Sequence, residues 1–202
     1  MRFSKFLYLL IVSSIFNLIA CADSNPDGKV IDSSDVMKEF SDEIESNRVL
    51  TKQMLDTTSD SRLEDKIIAN INSKQDINLS NDKEILPTLS RERQAIFYIY
   101  MVEGEVNNGG FDQFYLNEFI NSDHLYMFEK TIEAFQLIGA SKFADIVSRT
   151  NKIFKANEND FVNKIGLFDK LDNEFYETYK QEDLDDLRIR FIRANIEAFI
   201  DK

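Results

Sequence analysis

Residues 95–117 read AIFYIYMVEGEVNNGGFDQFYLN. The first eight, Ala95 to Val102, are all apolar or aromatic. A run of this length fits a buried strand or a buried helix. Its flanks decide for the helix, because Arg91-Glu92-Arg93-Gln94 before it and Glu103-Gly104-Glu105-Val106 after it carry the segment past strand length. A helix that is apolar all round belongs at the centre of a bundle. Asn107-Asn108-Gly109-Gly110 then ends it, since Gly, and next Asn, tolerates the left-handed backbone that closes a helix. A second Gly lets two helices approach and the chain reverse tightly. Phe111, Phe114 and Tyr115, at three- and four-residue steps, open an aromatic helix.

Outward from this centre the pattern stays helical. Val36, Phe40, Ile44 and Val49 predict a helix over about 36–55. Leu63, Ile67, Ile68 and Ile71 predict another near 61–73, with Ser61 and Glu64 as a capping box. Pro87, followed by Thr88 and Ser90, predicts the start of the central helix. Leu125, Phe128, Ile132, Phe135 and Ile138 make a helix that stops at Gly139, and Phe143, Val147 and Phe154 mark the next. Residues 157–172 are looser. The stretch 181–201 shows two apolar rows, Leu184, Leu187, Phe191 and Ala198, and Ile189, Ile192, Ile196 and Ile200. The fold expected is all-α, a compact bundle around one apolar helix with a Phe-lined core (17 Phe, no Trp). Residues 36–80 form an N-terminal helical segment and 81–202 the main helical domain. No repeat of solenoid period occurs.

The beginning of the chain reads as an address. Arg2 and Lys5 precede an apolar stretch from Phe6 to Ile19, interrupted by Ser13, Ser14 and Asn17. It is too short and broken for a membrane span, which needs roughly 20 apolar residues, and fits a signal peptide over 1–20. Leu18-Ile19-Ala20-Cys21 resembles a bacterial lipobox, which implies cleavage before Cys21 and acylation of that residue, the only cysteine. Several acyl chains anchor firmly where one anchors marginally. Residues 22–35 are small, polar and acidic, with Pro26 and Gly28 as breakers, so 21–35 reads as the lipidated Cys21 and a flexible tether. The expectation is a protein held to a membrane of the cell envelope through Cys21 and facing outside the cytoplasm.

Composition removes several chemistries. The 202 residues hold 24 Lys and Arg against 36 Asp and Glu, a net charge of −12. Direct nucleic-acid binding needs cationic patches and is not expected. One cysteine excludes a disulfide framework and a Cys-based zinc site. His124 is the only histidine and reads as part of a helix cap in Asn121-Ser122-Asp123-His124. Asp23-x-Asn25-x-Asp27-Gly28 resembles half of a calcium loop, but its twelfth position is Ser34, and an Asx-rich turn accounts for it. There is no nucleophile elbow, phosphate loop or dinucleotide fingerprint. No metal, cofactor or catalytic set is expected.

The constellation after the central helix resembles the bacterial DNA-mimic-protein domain family, a domain of unknown function whose hallmark is Asn-Gly-Gly-Phe followed by Gln, aromatics and Asn. Asn108, Gly109, Gly110, Phe111, Gln113, Phe114 and Asn117 carry the likeness. It extends to Ile138-Gly139-Ala140 and to Leu171-Asp172-x-x-Phe175-Tyr176, and covers about 86–200. The resemblance implies an all-α fold and, for the member that named the family, an acidic surface that imitates DNA phosphates and occupies a transcription regulator. Residues 158–186 hold ten acids, among them Asp172, Glu174, Glu177, Glu182, Asp183, Asp185 and Asp186, against three lysines. Such a run is either a phosphate-like array or a solvated face. The Asn-Gly-Gly-Phe element is either a structural corner or a small polar pocket of Asn107, Asn108, Gln113 and Asn117 beside Phe111 and Tyr115.

Address and mimicry conflict, because a lipoprotein leaves the compartment that holds DNA and its regulators. The leading expectation is therefore a lipid-anchored acidic helical module that binds an unknown protein. A DNA mimic, made without the signal from Met37, is the first alternative. A hydrolase with an acidic pocket is the second.

Overall fold

The computed structural model describes residues 38, 42, 45–75, 81–120, 126–164 and 166–201, with the side chains of 118–120 left aside. The lipobox, the tether, the calcium-like loop and His124 lie outside the described residues. From Glu43 onward the chain is one compact unit. Its helices are α1 (Lys52–Thr57), α2 (Asp60–Asn72), a single turn α3 (Asp82–Ile85), α4 (Arg91–Ile120), α5 (Met127–Ile138), α6 (Ser141–Asn157), α7 (Asp169–Thr178) and α8 (Leu184–Ala194). Short 3-10 turns cover Leu86–Thr88, Glu158–Asn163 and Ile196–Phe199. No strand occurs among the described residues, and no described helix is long and apolar enough to cross a membrane.

The expected apolar helix is the centre. α4 packs against α2, α5, α7 and the last 3-10 turn, while α5–α6 and α6–α7 are successive neighbours. Ala95, Ile96, Phe97, Tyr98, Ile99 and Val102 are all buried, as a helix surrounded on all sides requires. The second half of α4 carries Phe111, Phe114 and Tyr115 into a cluster of rings. Tyr115 stacks on Phe154 with centroids 4.7 Å apart, and Phe128, Phe161 and Phe168 complete the cluster. The Tyr115 hydroxyl pairs with Thr150 Oγ1 at 2.9 Å and donates to Asn151 Oδ1, so its polar tip is satisfied inside the core. α5 ends as expected: Gly139 has φ 86°, and the Ala140 N–H closes back on the Phe135 carbonyl at 2.8 Å.

Several boundaries differ from the sequence reading. No single helix runs over 36–55. The chain leaves helical geometry at 47–50, and Thr51 caps α1 by accepting from the Met54 N–H at 3.2 Å. Val49, expected on the apolar row, is 57% exposed, while its neighbour Leu50 is fully buried. The Ser61–Glu64 capping box does not form. α2 starts after Ser59, whose side chain makes no cap bond, and Glu64 points instead to Arg188. Pro87 sits in the 3-10 turn. Ser90 opens α4 by accepting from the Arg93 N–H at 3.2 Å. The last helix stops at Ala194, and the 3-10 turn beyond it shifts the phase, so Phe199, in neither apolar row, is the fully buried residue there.

Candidate binding surface around the Gly109–Gly110 kink

The glycine pair is a kink inside α4, with helix on both sides and no loop between. Gly109 has φ −157° and ψ 22°, and Gly110 has φ 75° and ψ −177°. The latter pair of angles is open essentially to glycine alone. Space gives a second reason. A Cβ on Gly110 would lie 2.6 Å from Asp172 Oδ2. The same carboxylate accepts from the Phe111 N–H through Oδ1 at 2.8 Å. Asp172, 61 residues on, therefore caps the second half of α4.

The polar residues of the hallmark also have partners. Gln113 Nε2 and Asn117 Nδ2, one helical turn apart, both donate to Glu105 Oε2, at 2.7 and 2.8 Å, and so bridge the kink. Asn107 donates to the Tyr179 hydroxyl at 3.3 Å, which in turn donates to Glu103 at 2.9 Å. The Tyr176 hydroxyl donates to the Val106 carbonyl at 2.7 Å. The rings of Phe111 and Phe175 meet edge to face at 5.5 Å. The two motif segments, Asn108–Phe111 and Leu171–Tyr176, thus form one structural unit. Asn108 and Gly109 are exposed on this unit, as are Asn173, Glu174 and Tyr176.

The seven acids of 172–186 are distributed over caps and ion pairs. Asp172 caps Phe111. Glu174 makes a two-pronged pair with Arg149, which holds its carboxyl below the usual range. Glu177 meets Lys180 at 2.6 Å. Glu182 accepts from the Lys142 and Phe143 N–H groups and caps α6. Asp183 caps α8 by accepting from the Asp186 N–H at 2.9 Å. Asp185 pairs with Arg188, and Asp186 with Arg190 at 2.6 Å. Asp112, Asp169 and Asp172 face one another beside the kink. Burial raises the Asp172 carboxyl, the Phe111 N–H opposes, and Asp112 and Asp169 add to the rise. Burial likewise raises Asp112, which accepts from the Gly166 N–H at 2.7 Å and feels Asp169.

Sequence reading missed Arg188. It is 1% exposed and lies among Glu64, Glu103 and Asp185 from α2, α4 and α8. Burial opposes its charge, and the three carboxylates outweigh burial and raise its pKa. The signal was available: Arg188 falls four residues after Leu184 and four before Ile192, on the apolar stripe. A groove of about 360 Å³ between α6 and α7 is lined by Lys142, Asp145, Glu174 and Glu177 among others. The carboxyls raised in pKa, Asp112 and Asp172, are not among its lining residues. The described residues hold no group of acids, His or Cys arranged for a metal ion.

No curated protein and no solved structure matches the chain. A family does: the sequence model described as DMP19-like protein matches residues 87–195, from the 3-10 turn before α4 to the end of α8. That span holds the central helix, its glycine kink and the α7 segment that caps it, and it covers more than half of the chain, which therefore belongs to the DMP19-like protein family.

Proposed function

We propose that this protein acts by binding rather than by catalysis, as an acidic helical module that occupies the cationic, DNA-binding surface of a protein partner. Membership of the DMP19-like family carries the reading. The net charge of −12 agrees with it. The test is capture on the purified chain followed by elution with duplex DNA. A bound protein that DNA releases, with affinity falling steeply as salt rises, is the expected result. Bound proteins that DNA never displaces would sink the reading.

A second reading rests on Cys21 and its Leu18-Ile19-Ala20 context. In it the chain is tethered to a membrane of the cell envelope and meets a protein partner outside the cytoplasm. Intact mass and cell fractionation of the native protein, beside Cys21→Ser, separate the two. Acyl chains and membrane retention that depend on Cys21 favour the second reading. A soluble, unlipidated protein favours the first.

A further inference from the structure

Asp201 follows the last 3-10 turn, and four donors from separate parts of the fold converge on its carboxylate. Oδ2 accepts from the Leu50 N–H at 2.8 Å and from Asn70 Nδ2 at 2.9 Å. Oδ1 meets Arg93 Nη1 at 2.6 Å and Lys74 Nζ at 3.1 Å. The Asp201 N–H donates back to the Leu50 carbonyl at 2.9 Å. Ser90 Oγ donates to the Ala198 carbonyl at 2.7 Å and pins the turn beside it.

Two cations, Lys74 and Arg93, face one carboxylate. The Arg93 side chain is 5% exposed, and its Nε and Nη2 are buried without a partner among the described residues. A buried guanidinium without a counter-charge is costly, so this site favours an anion strongly. Asp201 reflects that. Burial would raise its carboxyl, but the Leu50 N–H, Arg93, Lys74 and Asn70 together outweigh burial and hold it at about 2.

We propose that Leu50, Asn70, Lys74 and Arg93 form a carboxylate-binding site that the chain fills with its own Asp201, so that residues 196–201 strap the 45–75 segment onto α4. The segment it holds lies outside the family-matched span, and α4 lies within it. The ligand class is a small carboxylate. With the Asp201 side chain gone, formate occupies the place it leaves.

The test compares Asp201→Ala with the wild-type chain by thermal unfolding and by hydrogen exchange over α2. The expected result is a Tm lowered by roughly 5–10 °C, with α2 amides exchanging on the order of 10-fold faster. Sodium formate should reverse both changes saturably, sodium chloride at equal strength should not, and the wild type should respond to neither. An unchanged Tm, or formate acting no differently from chloride, overturns the proposal. Folding of the variant only in formate supports it. A measurement on the wild type guards against a variant that never folds. The Asp201 carboxyl, followed by NMR, should titrate near 2. A midpoint at the ordinary value of about 4 overturns the proposal.

Discussion

Gly110→Ala should cost more than Gly109→Ala at the same kink. Two effects add. An alanine forced to φ 75° and ψ −177° costs about 1–3 kcal/mol of backbone strain. Its Cβ would also lie 2.6 Å from Asp172 Oδ2, so the carboxylate must move and its bond to the Phe111 N–H is lost. A hydrogen bond to a charged acceptor contributes about 1.5–3 kcal/mol. The sum, about 2.5–6 kcal/mol, is a large part of the stability of a typical domain. Urea unfolding should show a lower midpoint with an unchanged slope. Gly109→Ala is the comparison: its φ of −157° is not left-handed, and its Cβ would push the Gln113 amide aside and remain 3.0 Å from Gln113 Cβ, a tight contact that a small backbone shift relieves. That variant should lose about 1.5–3 kcal/mol, the bond between Gln113 and the Glu105 carboxylate, without the backbone strain. A double variant, Gly110→Ala with Asp172→Ala, should be clearly more stable than the sum of the singles, because the clash and the lost cap are shared. A Gly110→Ala loss below about 1 kcal/mol, or strict additivity, would refute this account of the kink.

Arg188→Met should destabilise by about 3–5 kcal/mol in urea, since it leaves Glu64 and Glu103 facing each other without their cation, and adding Glu64→Gln should recover part of that loss. Tyr115→Phe keeps the stacked ring and removes the hydroxyl from Thr150 and Asn151, at about 1–2 kcal/mol by calorimetry. The pH dependence at the kink has a definite sign. Asp112 and Asp172 have raised carboxyls in the folded chain, so their contribution is full below the unfolded value of about 4 and is lost as pH rises through the folded values. Asp169→Asn removes a like charge from both, so it should stabilise the protein at neutral pH by a few tenths to about 1 kcal/mol. Relative to wild type, its urea midpoint should gain as pH rises from 4 to 7, and a constant difference would contradict the assignment.

The central helix was legible because eight apolar residues in a row leave no face for water, whatever surrounds them. The end of α5 was legible because Gly139 closes its helix locally. What sequence spacing could not reveal were the bonds made at a distance. The Ser61–Glu64 pair has the spacing of a local cap, yet a buried guanidinium 124 residues from Glu64 offers it a stronger partner. The seven acids of 172–186 read as one charged run because linear density hides direction. In space Asp172 and Glu182 serve the starts of two different helices. The Asn-Gly-Gly-Phe element was recognisable as a helix break, but not as one half of a unit whose other half is Leu171–Tyr176. The 3-10 turns were missed because a change from 3.6 to about 3 residues per turn moves the buried face by one position, as at Phe199.

The cap supplied by Asp172 constrains the order in which the chain folds. Helices α4, α5 and α6 pack as sequence neighbours and can begin to assemble early. The segment 111–120 cannot reach its final state then, because the acceptor for its first amide is 61 residues away. Closing a loop of that length costs about 3–4 kcal/mol of chain entropy, returned only when α7 docks and brings Asp172 and Phe175 together onto Phe111. Substitutions at Asp172 and Gly110 should therefore speed unfolding while leaving the folding rate nearly unchanged. The kink, the feature that marks the family in sequence, is on this account one of the last parts of the molecule to set.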